Sequence, residues 1–106
     1  MGGKIKMNKF MQKAKQNAED GIKKNEGGPF GAVMTDKEGN IIANGNNQVL
    51  KLNDPTAHAE IVAIRNACKK LNTYDLSNYI LYTSCEPCPM CLSAIIWSNI
   101  KQVYYG

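Results

Sequence analysis

Three cysteines stand three residues apart in "TSCEPCPMC", residues 83–91, and the only histidine of the chain stands in "TAHAE", residues 56–60. Thiolate sulfur and imidazole nitrogen are ligands that zinc prefers. Cys88 and Cys91 fall at i and i+3 where a helix is expected to begin, so their sulfurs share a face and can grip one ion. The unpaired N–H groups and positive dipole end of a helix start favour thiolates, and a zinc ion favours them further. Two thiolates still leave a tetrahedral zinc two ligands short. His58 is also expected at a helix start, and in a parallel α/β arrangement helix starts gather at the carboxyl ends of the strands, which makes it the expected third ligand. Three protein ligands and an open fourth position form the catalytic pattern, in which the metal lowers the pKa of a water to about 7.

Glu60 follows His58 by two positions, a turn of roughly 200° on a regular helix. That spacing argues against a fourth ligand. In the first turn it can instead point past the metal toward a water, which suits a proton-transfer base. Cys85 is expected as a small residue at a strand end beneath the site, Cys68 as core on the apolar stripe of a helix, and Glu86 as an orienting group beside a ligand. If Cys85 joined the other three, the zinc would be closed and structural, a Cys3His module. The C-x-x-C-x-x-C run also opens like an iron–sulfur motif, but the C-x3-C-P that should follow is missing.

The elements that must position these residues can be read from periodicity. Met7, Phe10, Met11, Ala14, Ala18 and Ile22 recur at three- and four-residue steps, predicting an amphipathic helix over 8–24 with lysines outward. Two strands, Phe30 to Thr35 and Asn40 to Asn44, form a hairpin around Glu38-Gly39. A second helix is expected near Ala57 with Thr56 as its cap, then the strand "NYILYTS", a buried third helix in "PMCLSAIIWSNI" and a last strand in "KQVYYG". The last two strands require a parallel crossover, and the whole order predicts an α/β fold, a three-layer α/β/α sandwich with a mixed sheet.

The 106 residues are read as one domain, 43% hydrophobic and 21% charged, with no apolar run long enough to span a membrane. A lysine-rich start without an apolar core does not fit a secretory signal, and four cysteines without one point to metal binding in a reducing, cytoplasmic setting. The net charge of +4 is uneven. Lys4, Lys6, Lys9, Lys13, Lys15, Lys23 and Lys24 crowd the first quarter, and with no Arg and only one aromatic, Phe10, interleaved they read as a frayed tip and the solvated face of a helix rather than a nucleic-acid surface.

"HAE" at 58–60 with "PCPMC" at 87–91 fits the H-x-E…P-C-x-x-C signature of the zinc deaminases. With "GGPFGAV", "NDPTAHAE" and "YTSCEPCPMC", the chain from about residue 8 to its end resembles the guanine deaminases of the cytidine deaminase superfamily. The tRNA adenosine deaminases share "HAE" and "EPCPMC" and are the alternative; a non-catalytic zinc-binding fragment is another. The resemblance implies one zinc on His58, Cys88 and Cys91, with Glu60 carrying a proton from water to the ring and the departing ammonia. Guanine would be attacked at its amino-bearing carbon to give xanthine. It implies further that Asn47 hydrogen-bonds the purine base, that Phe30 lines the pocket and that two copies pair as a homodimer. In the family another strand and further helices follow the strand ending at Tyr105, and in guanine deaminases that segment contacts substrate and is exchanged between subunits. The cytidine-deaminase-like sandwich is therefore expected to be C-terminally abbreviated over 1–106. A tRNA substrate would want basic residues at the pocket mouth, where Lys51 is the one expected.

Overall fold

The computed structural model describes residues 8–106; Lys4, Lys6 and Met7 lie outside them. Helix α1 (Lys9–Lys23) is followed by strands β1 (Gly31–Asp36) and β2 (Ile41–Asn46), helices α2 (Val49–Leu52) and α3 (Ala59–Leu71), strand β3 (Tyr79–Thr83), helix α4 (Pro89–Trp97) and strand β4 (Gln102–Tyr105). The order matches the sequence reading except for α2, a single turn whose Leu50 and Leu52 are exposed and so left no periodic apolar signal.

Asn8 starts α1 by accepting the N–H groups of Phe10 (3.0 Å) and Met11 (2.9 Å) on its side-chain oxygen. At or just after the end of each helix an asparagine takes the left-handed conformation, Asn25, Asn53, Asn72 and Asn99, with φ of 57°, 52°, 53° and 63°. Asparagine tolerates this region better than other non-glycine residues because its short amide bonds locally. The expected cap Thr56 does not cap α3. Its hydroxyl and N–H both go to the Asp54 carboxylate, at 2.7 and 2.8 Å, and the extended N-cap residue is His58.

The sheet order is β2-β1-β3-β4. Strand β1 is antiparallel to both β2 and β3, while β3 and β4 are parallel. Strands β2, β3 and β4 thus point one way and β1 the other. The carboxyl ends of β2 and β3 and the entry to β1 meet along one edge, where Gly31 pairs with Asn46 and Ala32 with Thr83. Loops carrying Phe30, Asn47 and Cys85 emerge there together.

Successive strand residues face opposite layers. Val33 and Tyr82 pack with Ala14 and Phe10 of α1 on one face, the Phe10 and Tyr82 rings 5.2 Å apart. Ala32, Met34, Leu81 and Val103 pack with Ala63 of α3 and Ile95 of α4 on the other. The result is the three-layer α/β/α arrangement with a mixed sheet. Two expectations differ. Ile22, near the end of α1, is exposed rather than part of the contact stripe, and lines an open apolar groove with Pro29 and Phe30. Helix α4 buries Cys91 and Ile95 but turns Leu92, Ile96 and Trp97 outward, with Trp97 86% exposed, because it borders the sheet on one side only. Among the described residues no helix is long and apolar enough to cross a membrane.

Helix α3 lies directly on β2. A Cβ at Gly45 would stand 2.6 Å from the Ala63 nitrogen and against the Ala59 carbonyl, backbone atoms that cannot swing aside. Gly45→Ala should therefore cost about 1–3 kcal/mol, measured by urea denaturation of the zinc-loaded protein.

Candidate active site

The sequence places His58 at the N-cap of α3, Cys88 at the N-cap of α4, and Cys91 in the first turn of α4. Pro89 opens α4 with its ring pre-set for a helix and no N–H to satisfy. The Cys91 N–H points at the Cys88 sulfur, 3.5 Å away, so the helix start itself favours a thiolate. On α3, the turn before His58 is shaped by Asp54, whose second carboxylate oxygen accepts from Arg65 at 3.2 Å. Hydrogen bonds from Thr56, then Arg65, hold the Asp54 carboxyl below its usual range.

His58 Nδ1 lies 3.6 Å from the Cys88 sulfur and 3.6 Å from the Cys91 sulfur. All three donor atoms fall within 4.8 Å of one another. Tetrahedral zinc with bonds of about 2.3 Å to sulfur and about 2.0 Å to nitrogen sets neighbouring ligands about 3.6 Å apart, so the tripod fits. The donor chemistry agrees. Burial pushes the Cys91 thiol well up, with Glu60 and Cys88 adding to the rise, and a thiolate at such a place requires a cation beside it. Cys85 is not in this cluster. It is half-buried, its thiol raised by burial first and by Glu60 and Cys88 next, and it lines the neighbouring pocket.

That pocket, about 200 Å³, is lined by Phe30, Asn47, His58, Glu60, Cys85, Glu86 and Cys88. Every residue expected to touch metal or base is present except Cys91, which lies beneath. Glu60 is only 6% exposed, and burial raises its carboxyl above the ordinary range. Asn47, 8% exposed, donates its N–H to the Phe30 carbonyl at 3.0 Å and accepts the Val49 N–H on Oδ1 at 3.1 Å. One lone pair of that oxygen is thus engaged, and the amide nitrogen, with no hydrogen-bond partner among the described residues, is available to the pocket that Asn47 lines. Ser84 was missed by sequence reasoning. Its hydroxyl accepts the Gly31 N–H at 3.0 Å and fixes the cysteine loop to the entry of β1.

The α1 lysines are nearer the site than expected. Lys15 and Lys23 border an apolar groove of about 540 Å³ that shares Phe30 and Cys85 with the pocket. Lys51, the one lysine expected at the mouth, is paired with Glu26 at 3.4 Å.

The three-layer sandwich thus carries a Cys2His tripod with a buried carboxylate beside it. The sequence model of the cytidine and deoxycytidylate deaminase zinc-binding region matches residues 4–106. Guanine deaminase of Bacillus subtilis is 57% identical over 97 residues, 92% of this chain and 62% of that protein. An X-ray structure of guanine deaminase from Bacillus subtilis superposes with a TM-score of 0.89 at 55% identity, covering 94% of this chain and 64% of that one. A tRNA-specific adenosine deaminase from Haemophilus influenzae is 49% identical over 78 residues, 74% of this chain and 45% of that protein. A solved relative in complex with 8-azaguanine is 36% identical, with a TM-score of 0.87, covering 92% of this chain and 56% of that one. This chain belongs to the cytidine and deoxycytidylate deaminase family, and zinc is the metal of its site. It spans less than two thirds of the length of the guanine deaminase it matches.

Metal analysis should find one zinc per chain, kept in Cys85→Ser and lost in His58→Ala and Cys91→Ser. Stripping the metal with a chelator should lower the melting temperature by tens of degrees, since structural zinc binding contributes on the order of 10 kcal/mol to small domains.

Proposed function

We propose that this chain carries the site of a zinc-dependent purine-base deaminase, with guanine as substrate and xanthine and ammonia as products. The observation that supports it best is the position of Glu60. It is buried in the first turn of α3 and lines the same pocket as His58, Cys88 and Asn47, so a base lying there meets a proton carrier and an orienting amide together.

Zinc held by His58, Cys88 and Cys91 supplies a Lewis acid that lowers the pKa of water to about 7. The other work falls to side chains. Glu60 accepts a proton from the attacking water and delivers it to the ring nitrogen beside the amino-bearing carbon. The second proton of that water reaches the departing amine by the same carboxylate, and guanine plus water becomes xanthine plus ammonia with no change of oxidation state. Asn47 holds the base through its amide nitrogen, and Phe30 packs on it. The order of preference follows similarity, 57% identity to a guanine deaminase against 49% to a tRNA-specific adenosine deaminase.

The second reading, adenosine in tRNA, is favoured by the groove beside the pocket, whose rim holds Lys15 and Lys23. Phosphates would meet cations there.

We infer also that two copies pair, supported by the exposed Leu92, Ile96 and Trp97 of α4, and that the protein works in the cytoplasm, supported by four free cysteines.

Zinc-loaded protein should release ammonia from guanine, and Glu60→Ala should slow this by about 100-fold or more. Release from an anticodon stem-loop alone would establish the second reading. Release from neither, with one zinc bound per chain, would overturn both. Sedimentation at micromolar concentration should show a dimer, and a strictly monomeric chain would remove that inference.

A further inference from the structure

A second polar cluster, outside the metal tripod, joins two segments that the sequence keeps twenty residues apart. Glu26 lies in the loop between α1 and β1. Its carbonyl accepts the N–H groups of Leu50 and Lys51, both at 3.0 Å, which fastens that loop to α2. Its carboxylate accepts from Asn46 Nδ2 at 2.8 Å and faces Lys51 Nζ at 3.4 Å. The Asn46 hydrogen bond, with Lys51 adding, holds this carboxyl below its usual range although burial works against it. At 14% exposure the Glu26 side chain is largely shielded from water, where a charge-assisted bond counts for more than at an open surface.

The Asn46 amide passes the constraint on. Its nitrogen also donates to the Asn47 carbonyl at 3.1 Å, and its oxygen accepts from Gln48 Nε2 at 3.3 Å. Both amide hydrogens and the oxygen are therefore committed. Asn47 is enclosed from the other side by Gly27, where a Cβ would stand 2.5 Å from the Asn47 carbonyl oxygen. Only a glycine lets that loop close so tightly on Asn47. Gln48 continues the chain of contacts, its N–H reaching the Ala57 carbonyl at 2.9 Å, next to His58.

We propose that Glu26 is a positioning residue for the base: acting through Asn46, it holds Asn47 so that the amide nitrogen faces the pocket. Removing the carboxylate frees the Asn46 amide to rotate, which releases the Asn47 carbonyl and lets its side chain leave the Val49 N–H. Glu26 itself does not line the pocket. Its loss should weaken binding of the base while leaving the metal tripod and Glu60 in place. The role assigned to Glu26 rests on the purine-base reading for the identity of the ligand, but not for the geometry.

The test compares wild type, Glu26→Ala and Glu26→Gln, all zinc-loaded. The Gln variant keeps an oxygen for Asn46 Nδ2. Calorimetry with 8-azaguanine should show the dissociation constant raised about tenfold in the Ala variant, the loss of roughly one hydrogen bond's worth of affinity. The KM for guanine should rise in parallel while kcat stays within about twofold and zinc content is unchanged. The Gln variant should recover most of the affinity. Independently of any ligand, the side-chain amide signals of Asn47 in nitrogen-15 spectra should be well dispersed in wild type, collapse toward free-amide positions in the Ala variant and return in the Gln variant. Unchanged Asn47 signals in Glu26→Ala would overturn the proposal, as would a Gln variant as impaired as the Ala variant. Zinc lost together with affinity would also overturn it, by reducing Glu26 to a general support of the fold. If wild type binds no 8-azaguanine yet the Asn47 signals collapse and recover as described, the purine-base reading fails and the positioning role stands.

Discussion

Two sulfurs must each come to 3.6 Å from one imidazole nitrogen, although the three ligands come from two different helices. Little else in the fold is free once that is satisfied. The helix starts can converge only if the strands leading toward them end at the same edge, and the sheet does this by running β2 and β3 in one direction with β1 reversed between them. The same polarity brings the entry of β1 to that edge. Metal centre and pocket wall are therefore consequences of one register, in which Gly31 lies against Asn46 and Ala32 against Thr83.

Burying Cys91 and Glu60 at this edge is unfavourable by itself, since both groups are harder to ionise away from water. The fold accepts that cost where a cation can offset it. The two halves of the pocket are held by different means. Cys88 and Cys91 are neighbours on one helical turn, so their geometry is nearly fixed once α4 forms. Asn47 sits after a strand end, in a loop with no such scaffold, and needs partners from Phe30, Val49 and Asn46 to stay in place.

That difference explains what could be read from the sequence. Short-range constraints leave a local mark: His58 with Glu60 two positions later, Cys88 with Cys91 three positions later, and the apolar period of α1 all announced themselves by spacing. Asn47 and Phe30 carried no such mark and came only from the family resemblance. Ser84 bonding the Gly31 N–H spans fifty-three residues and Glu26 bonding Asn46 spans twenty, separations at which a sequence has no period to show. The start of α3 was misplaced by two residues because Thr56 looked like a cap, while in the fold Asp54 competes for its hydroxyl and N–H. The apolar run of α4 suggested full burial. Its composition could not reveal that only the Cys91–Ile95 side meets the sheet.

The metal centre alone is a poor selector among bases. A Lewis acid and a carboxylate act at an amino-bearing carbon and the ring nitrogen next to it, a pair present in every aminopurine and in cytosine. Relatives of this chain include a guanine deaminase and a tRNA-specific adenosine deaminase. On the purine-base reading proposed above, selection would come from the wall that Phe30, Asn47 and Glu86 form. In this wall Glu86 supplies a carboxylate, while the Asn47 amide, one lone pair of its oxygen taken by the Val49 N–H, keeps its nitrogen as a donor. A carbonyl oxygen or an unprotonated ring nitrogen can accept from it, whereas an amino group would face the amide nitrogen donor to donor. Leaving such a buried pair unsatisfied costs about 1–3 kcal/mol, enough to bias the choice of base by roughly tenfold or more. On that reading, a backbone N–H two residues beyond Asn47 biases which edge of a base the pocket accepts.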